Sequence, residues 1–242
     1  MDYAASVSDF FKSPNWMMNL LLGGVCVLIP FVGPIVVLGW LITGFWARQD
    51  QNFETFPAFD FSHFGKYLER GLWPFLVTFV TSLLIVPLMW VVMIPMVFVS
   101  GISAGHNKDV GGCVGVFAVI LMLLFILLIL FGMMMVLTPL KLRASLMQDF
   151  GKAFDLGFVK RFVALTWKEI VISSLFVMVA GILFTCLGLI VFCVGVYFAS
   201  VLTYFSWTHL HKQLYLLYLS RGGEPISLSP KLNDGPPVMP AA

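Results

Sequence analysis

The chain has 242 residues, of which 60% are apolar and only 11% charged, whereas soluble domains carry about 25% charged residues. A net charge of +2, with no Lys/Arg block interleaved with aromatics, argues against a nucleic-acid binder. The mean hydropathy is +0.98, and the apolar residues fall in runs of about 20 or more, the length that crosses ~30 Å of hydrocarbon as a helix; an all-α integral membrane helical bundle is the predicted fold class.

In chain order, the first apolar run opens near Trp16 after an acidic, aromatic start (Asp2, Asp9, Phe10, Phe11). With no small-residue cleavage site before the next run, it reads as a retained span. Residues 15–47 are too long for one helix across a bilayer and break between Pro30 and Pro34. This predicts a hairpin with arms at 15–30 and 34–47, which either crosses fully or returns as a re-entrant pair. Phe61, Phe64, Leu68 and Leu72 then recur at helical spacing opposite His63, Lys66, Glu69 and Arg70, the pattern of an interfacial amphipathic helix over 61–72. A third span is expected at 72–100, kinked at Pro87 and Pro95, then a glycine-rich polar loop at 101–112 and a fourth span at 113–137.

A second amphipathic stretch at 144–167 carries Leu146, Phe150, Phe154, Phe158, Phe162 and Leu165 among Asp149, Lys152, Lys160 and Arg161. Two further spans, 168–187 and 189–207, are expected to turn near Gly188. An amphipathic exit over 208–220 leads to residues 221–242, which have proline, glycine and no periodicity and read as a disordered cytoplasmic tail. The expectation is about six transmembrane helices arranged as three hairpins. On that topology every Lys and Arg except Lys108 lies on one side, 13 of 14, which predicts cytoplasmic termini. Phe59-Asp60 and Phe154-Asp155 each precede, six residues on, a basic-aromatic-aliphatic triplet, Lys66-Tyr67-Leu68 and Arg161-Phe162-Val163, a weak sign of internal duplication.

From Phe56-Pro57-Ala58-Phe59-Asp60 through Phe64 to Glu69-Arg70-Gly71-Leu72, the chain resembles prokaryotic membrane proteins grouped as domain of unknown function 4013. Phe56 stands where that family has leucine, and Phe61 or Phe64 where it has tryptophan. The opening glycines (Gly23, Gly24, Gly33, Gly39) and Lys152-Ala153-Phe154 are also similar, so the resemblance runs from about Ser13 to Gly223. It implies a polytopic prokaryotic membrane protein of the cytoplasmic (inner) membrane and brings no activity, cofactor or catalytic residue with it.

Chemistry-bearing residues are sparse. The predicted spans hold no charge, which removes the usual residues of proton relays, voltage sensors and ion-selectivity rings. Cys26, Cys113, Cys186 and Cys193 have no CxxC and no histidine at ligand spacing. His63, His106, His209 and His211 lie away from span centres, which disfavours haem or pigment ligation, and His209 and His211 point about 200° apart on a helix, a poor metal clamp. Asp60, Ser62 and His63 formally offer an acid, a hydroxyl and a base, but neighbours on a helix face different ways and Asp60 suits a helix cap better. No catalytic, cofactor or metal residue is assigned.

The candidate working residues are instead the basic ones beside the amphipathic stripes, Lys66, Arg70, Lys141, Arg143, Lys152, Lys160, Arg161 and Lys168, expected to meet anionic lipid headgroups or a membrane partner. Gly132, Gly181, Gly188 and Gly195 allow close helix contact, and Gly181 with Gly188 marks a packing face for a partner or a second copy. These features favour a non-enzymatic scaffold, assembly factor or accessory subunit of a larger membrane complex. The alternative is a transporter or lipid-handling protein with a neutral cavity between the first and third hairpins, lined by Asn19, Thr43, Thr185 and Ser200.

Overall fold

The computed structural model describes residues 1–48, 52–106, 108–190 and 194–232. Among these the regular structure is entirely helical. A short helix α1 (Ala5–Ser8) precedes a hairpin of α2 (Trp16–Val27) and α3 (Val32–Trp46). Two long helices follow, α4 (Phe64–His106) and α5 (Lys108–Met147), then a single turn α6 (Phe150–Ala153), and last a pair α7 (Leu156–Ile190) and α8 (Gly195–Ser220). Among the described residues, three segments are long and apolar enough to cross a membrane: Phe61–Pro95, Val119–Met147 and Leu156–Ile190. α2 and α3 are shorter, about 18 and 22 Å at 1.5 Å per residue, less than the ~30 Å hydrocarbon core.

Several expected boundaries move. The stretch 61–72 is not a separate surface helix: a 3₁₀ turn at Phe61–His63 feeds directly into α4. Continuing the helix keeps every backbone donor paired, and Tyr67 and Arg70, on the face turned to α3, are buried. The loop expected at 101–112 is helical up to His106 and again from Lys108; Asn107 lies outside the described residues. The helix does not turn near Gly188 as expected but runs on to Ile190, and Gly188 is spent on packing: a methyl there would stand 2.6 Å from the Gly195 carbonyl carbon; residues 191–193 lie outside the described ones.

The stretch 144–167 is the clearest correction. It is broken twice, at Gln148-Asp149 and at Phe154-Asp155. Gln148 adopts φ +51°, the left-handed conformation that commonly ends a helix, and its side-chain amide donates to the carbonyls of Arg70 (3.1 Å) and Ser145 (2.8 Å). Asp149 then accepts from the Lys152 amide (3.1 Å) and Asp155 from the Phe158 amide (3.0 Å), so each aspartate starts a new helix by satisfying an orphan donor.

The core lies where α2, α3, α4 and α8 meet. Gly39 on α3 and Gly71 on α4 let the two backbones touch: a methyl at Gly39 would lie 1.7 Å from the Tyr67 carbonyl oxygen, and one at Gly71 1.8 Å from that of Ile35. The Phe56-Pro57-Ala58-Phe59 segment is laid into this core. Buried Trp40 donates its indole N–H to the Pro57 carbonyl (2.9 Å) and meets the Phe56 and Phe59 rings edge-on, both at 5.5 Å. The Phe59 amide donates to the buried Asn19 side chain (2.7 Å).

Both ends of the described chain fold back on the bundle. Asp2 and Gln213 exchange two hydrogen bonds, at 2.7 and 2.8 Å. Residues 221–232, expected to be disordered, run across the charged ends of four helices; residues 233–242 lie outside the described ones. Tyr218 and Tyr215 hydroxyls accept from the Glu224 and Ile226 amides (3.2 and 2.8 Å), and the Ser229 amide donates to the Leu146 carbonyl (2.9 Å). Leu232 is fully buried. Burial of Leu232, with Ile226 packed against the cluster of Phe162, Leu214 and Tyr218, orders a stretch that periodicity alone reads as free.

Candidate functional site: an apolar groove with a polar end

Between α5, α7 and α8 lies a groove of about 690 Å³, within the ~300–1,000 Å³ of ordinary ligand pockets. Its walls include Leu127, Phe131 and Met134 from α5, Gly181 and Thr185 from α7, and Ser200 and Thr203 from α8. Among the described residues, no charged side chain lines it. The Ser200 and Thr203 hydroxyls donate back to the carbonyls of Val196 (2.9 Å) and Ala199 (3.0 Å) on their own helix, so their lone pairs soften an otherwise apolar wall without demanding a partner.

Thr185 and Ser200 line this groove, as expected, but Asn19 and Thr43 do not. Asn19 is committed to the Phe59 amide, and Thr43 donates to the Gly39 carbonyl (2.9 Å) while accepting from Arg70 (3.0 Å). The cavity opens against α5, between the second and third helix pairs instead of the first and third. The glycine face is also spoken for inside the chain: Gly188 meets Gly195, Gly181 looks across the groove to Thr203, and of the four glycines only Gly132 would have nothing within 4 Å of an added methyl.

At its inner end the groove closes on Trp207, which forms a wall shared with two small voids of about 10 and 20 Å³ between α5 and α8. Thr138, Ser173 and His211 border the first, and Lys141, Ser145 and His211 the second. The Lys141 ammonium lies 5.7 Å from the Trp207 ring centroid, and the His211 ring meets the same indole edge-on at 5.4 Å. Buried Nε2 of His211 and Nε1 of Trp207 have no hydrogen-bond partner among the described residues, and voids of this size with polar borders suit single water molecules.

The eight basic residues singled out by the sequence separate into two groups. Arg70, 3% exposed, donates to the Thr43 hydroxyl and to the Lys231 carbonyl (2.6 Å). Arg143 donates to the Lys152 carbonyl (2.6 Å) and pairs with Asp155 (3.1 Å) under the Phe158 ring. These two are engaged in contacts within the chain. Lys66, Lys152, Lys160 and Lys168 stand on the exposed surface, and Arg161 pairs there with Glu224 (2.7 Å). Lys141 falls between the groups, half-buried at the polar end of the groove.

Asp60, Ser62 and His63 do meet. The Ser62 hydroxyl donates to the Asp60 carboxylate (2.6 Å) and lies 3.1 Å from His63 Nδ1. Its single proton is given to the carboxylate, and Asp60 also accepts the Ser62 amide (2.8 Å); the Ser62 hydroxyl and amide hold the Asp60 carboxyl below its usual range. The trio is a helix cap at an open depression of about 280 Å³ beside Lys66 and Tyr67. Sequence reasoning missed a buried pair: His209 Nε2 lies 3.1 Å from Asp9, its Nδ1 accepts from Gln213 (2.9 Å), and its ring packs on Phe45 and Phe53. Two hundred residues separate Asp9 from His209, and no local pattern links them. Among the described residues, no three His, Cys, Asp or Glu side chains converge to hold a metal ion.

No curated protein and no solved structure matches the chain. Residues 22–208 match the family described as "Protein of unknown function (DUF4013)"; that stretch contains the Trp40 pocket for Phe56 to Phe59, the Gly39 and Gly71 contact and the groove, and the chain belongs to this family.

Proposed function

We propose that this chain is a non-enzymatic integral protein of a prokaryotic cytoplasmic membrane, with both termini in the cytoplasm, and that it handles lipid: the groove between α5, α7 and α8 receives an acyl chain of the cytoplasmic leaflet. The observation that carries this is the groove itself, apolar, uncharged and about 690 Å³. From Ser174 to Cys186 on α7 it extends about 18 Å at 1.5 Å per residue, a little over half of a ~30 Å hydrocarbon core. A single leaflet has that depth. Its inner end meets Trp207, Tyr204 and Lys141, the aromatic and cationic residues that seat at headgroup level, and Lys66, Lys152, Lys160 and Lys168 on the same side would each add about 1 kcal/mol of attraction to anionic lipid. The short α2–α3 hairpin fits a re-entrant pair that returns to the cytoplasmic side.

The test is native mass spectrometry of the protein extracted in lipid particles, wild type against Thr185→Trp, which fills the groove from an exposed position. Wild type should retain a lipid through detergent exchange, and the variant should lose it while keeping its helical content. Equal retention by the two proteins would sink this reading.

An accessory subunit remains the second reading, favoured by the outer part of α4 and α5, where Leu84, Val91, Phe117 and Leu128 are more than half exposed and a methyl on Gly132 would meet nothing within 4 Å among the described residues. A contiguous apolar surface of this kind marks lipid or protein contact. A larger co-purifying assembly that survives mild extraction supports it; a particle containing one chain and lipid only argues against it.

A further inference from the structure

The groove has one wall that is fixed and one that is not. α7 and α8 are joined backbone to backbone at Gly188 and Gly195, so their side of the groove is set. α5 supplies the opposite wall at Leu127 to Met134, and Pro139 lies one to three turns closer to the charged end. α4, its partner in the long hairpin, carries Pro74. Trp73 and Val77 of α4 pack with Leu140 and Ala144 of α5, so the two prolines stand at one level of the hairpin. Each removes an intrahelical hydrogen bond, and together they make a line of weakness across both helices.

Immediately below that line, residues 221–232 tie the helices to one another. Lys231 pairs with Glu69 (2.6 Å) and its carbonyl accepts from Arg70 on α4; the Ser229 amide holds Leu146 on α5; Glu224 pairs with Arg161 and Arg221 with Glu169 on α7; Tyr215 and Tyr218 hold the segment to α8. The Lys231–Glu69 and Arg161–Glu224 pairs join side chains that are each more than half exposed. Exposed ion pairs are individually weak and are screened by salt.

We propose that residues 221–232 are a releasable clasp on the groove: closed, they hold the charged ends of the four helices together; released, they let the α4–α5 hairpin swing about Pro74 and Pro139 and widen the groove sideways. This rests on the lipid-handling reading, whose groove it regulates. Hinge closure about a few residues with a packed element as the moving body is a common switching mode.

Spin labels at Leu128 on α5 and Leu187 on α7, both exposed, report the width of the groove without reference to any lipid. Their distance distribution is measured by pulsed dipolar spectroscopy in phosphatidylethanolamine and phosphatidylglycerol vesicles, in the full chain, in a chain ending at Gly223, and in Lys231→Glu. The truncated chain should show a population lengthened by about 5 Å, on the scale of one helical turn, Lys231→Glu a smaller such population, and Glu69→Lys combined with Lys231→Glu should restore the original distribution. Exchange of a fluorescent phospholipid between protein and vesicles is followed in parallel and should quicken at least severalfold where the distance lengthens. Unchanged distances in the truncated chain and in Lys231→Glu overturn the clasp even if lipid is bound. Lengthened distances with no lipid bound by any form leave the clasp standing and defeat the lipid reading. If the truncated chain does not fold, the charge reversal and its restoration decide alone.

Discussion

At the charged end of the bundle, polar atoms are matched one to another across the whole chain. Arg70 joins α3, α4 and the C-terminal segment; Gln148 joins α5 to α4; Asp2 and Gln213 join the N-terminus to α8. Beyond Val77 the α4–α5 hairpin has nothing comparable among the described residues: Leu83, Leu84, Val91, Leu124 and Leu128 face outward. The first region is specified by directional bonds and backbone contact, the second by apolarity alone. A sequence change should therefore be felt in proportion to how close it lies to the charged end.

The largest effect is expected at the helix crossing. Gly39→Leu puts a side chain where the Tyr67 carbonyl already stands, and overpacking of this kind costs about 3 kcal/mol or more; no folded protein should be recovered after detergent extraction. Arg70→Leu comes next. It strips the Thr43 hydroxyl and the Lys231 carbonyl of a charged donor, a loss of about 2 kcal/mol that should appear as a lowered unfolding temperature together with exposure of the C-terminal segment to proteolysis.

A smaller, pH-dependent effect is expected at Asp155. The Phe158 amide, and then the charge of Arg143, hold its carboxyl below the usual range. A carboxyl depressed in the folded state adds stability that is complete above its unfolded value, about 3.9, and is lost as pH falls through the folded value. Thermal stability of the wild type should thus decline below about pH 4, and Asp155→Asn, which keeps an acceptor but no charge, should show a flatter acid limb. The smallest effect belongs to the outer hairpin: Leu128→Ala should change stability in detergent by less than about 0.5 kcal/mol. A loss at Leu128 comparable to that at Arg70 would erase the contrast between the two regions.

Most of the helices were legible because a long apolar run has few other ways to satisfy its backbone. Thr185 and Ser200 were legible as cavity residues, although the groove they line is completed by α5 and not by the first hairpin. Lost were the features that depend on a partner distant in sequence. A helical stripe over 144–167 reads the same whether one helix or three short pieces carry it; yet Asp149-Phe150-Gly151-Lys152 and Asp155-Leu156-Gly157-Phe158 both present an aspartate three residues before the amide it receives, a start signal that the periodicity masked. Arg70 sits on the polar side of its own helix wheel and is still buried, because the C-terminal segment covers it. The weak repeat gains a physical meaning: Asp60 and Asp155 both cap the start of a long helix, and seven residues on, Tyr67 and Phe162 are both buried.

The C-terminal segment has a consequence for how the molecule is made. Chains fold as they are synthesised, from the N-terminal side onward, and residues 221–232 leave the ribosome after every helix they touch. The Arg70 and Lys231 bond, the Ser229 and Leu146 bond and the burial of Leu232 can form only when α4, α5, α7 and α8 have come together. A chain with one helix pair missing or misplaced would keep this stretch loose and digestible, so that its protection from protease records a completed fold.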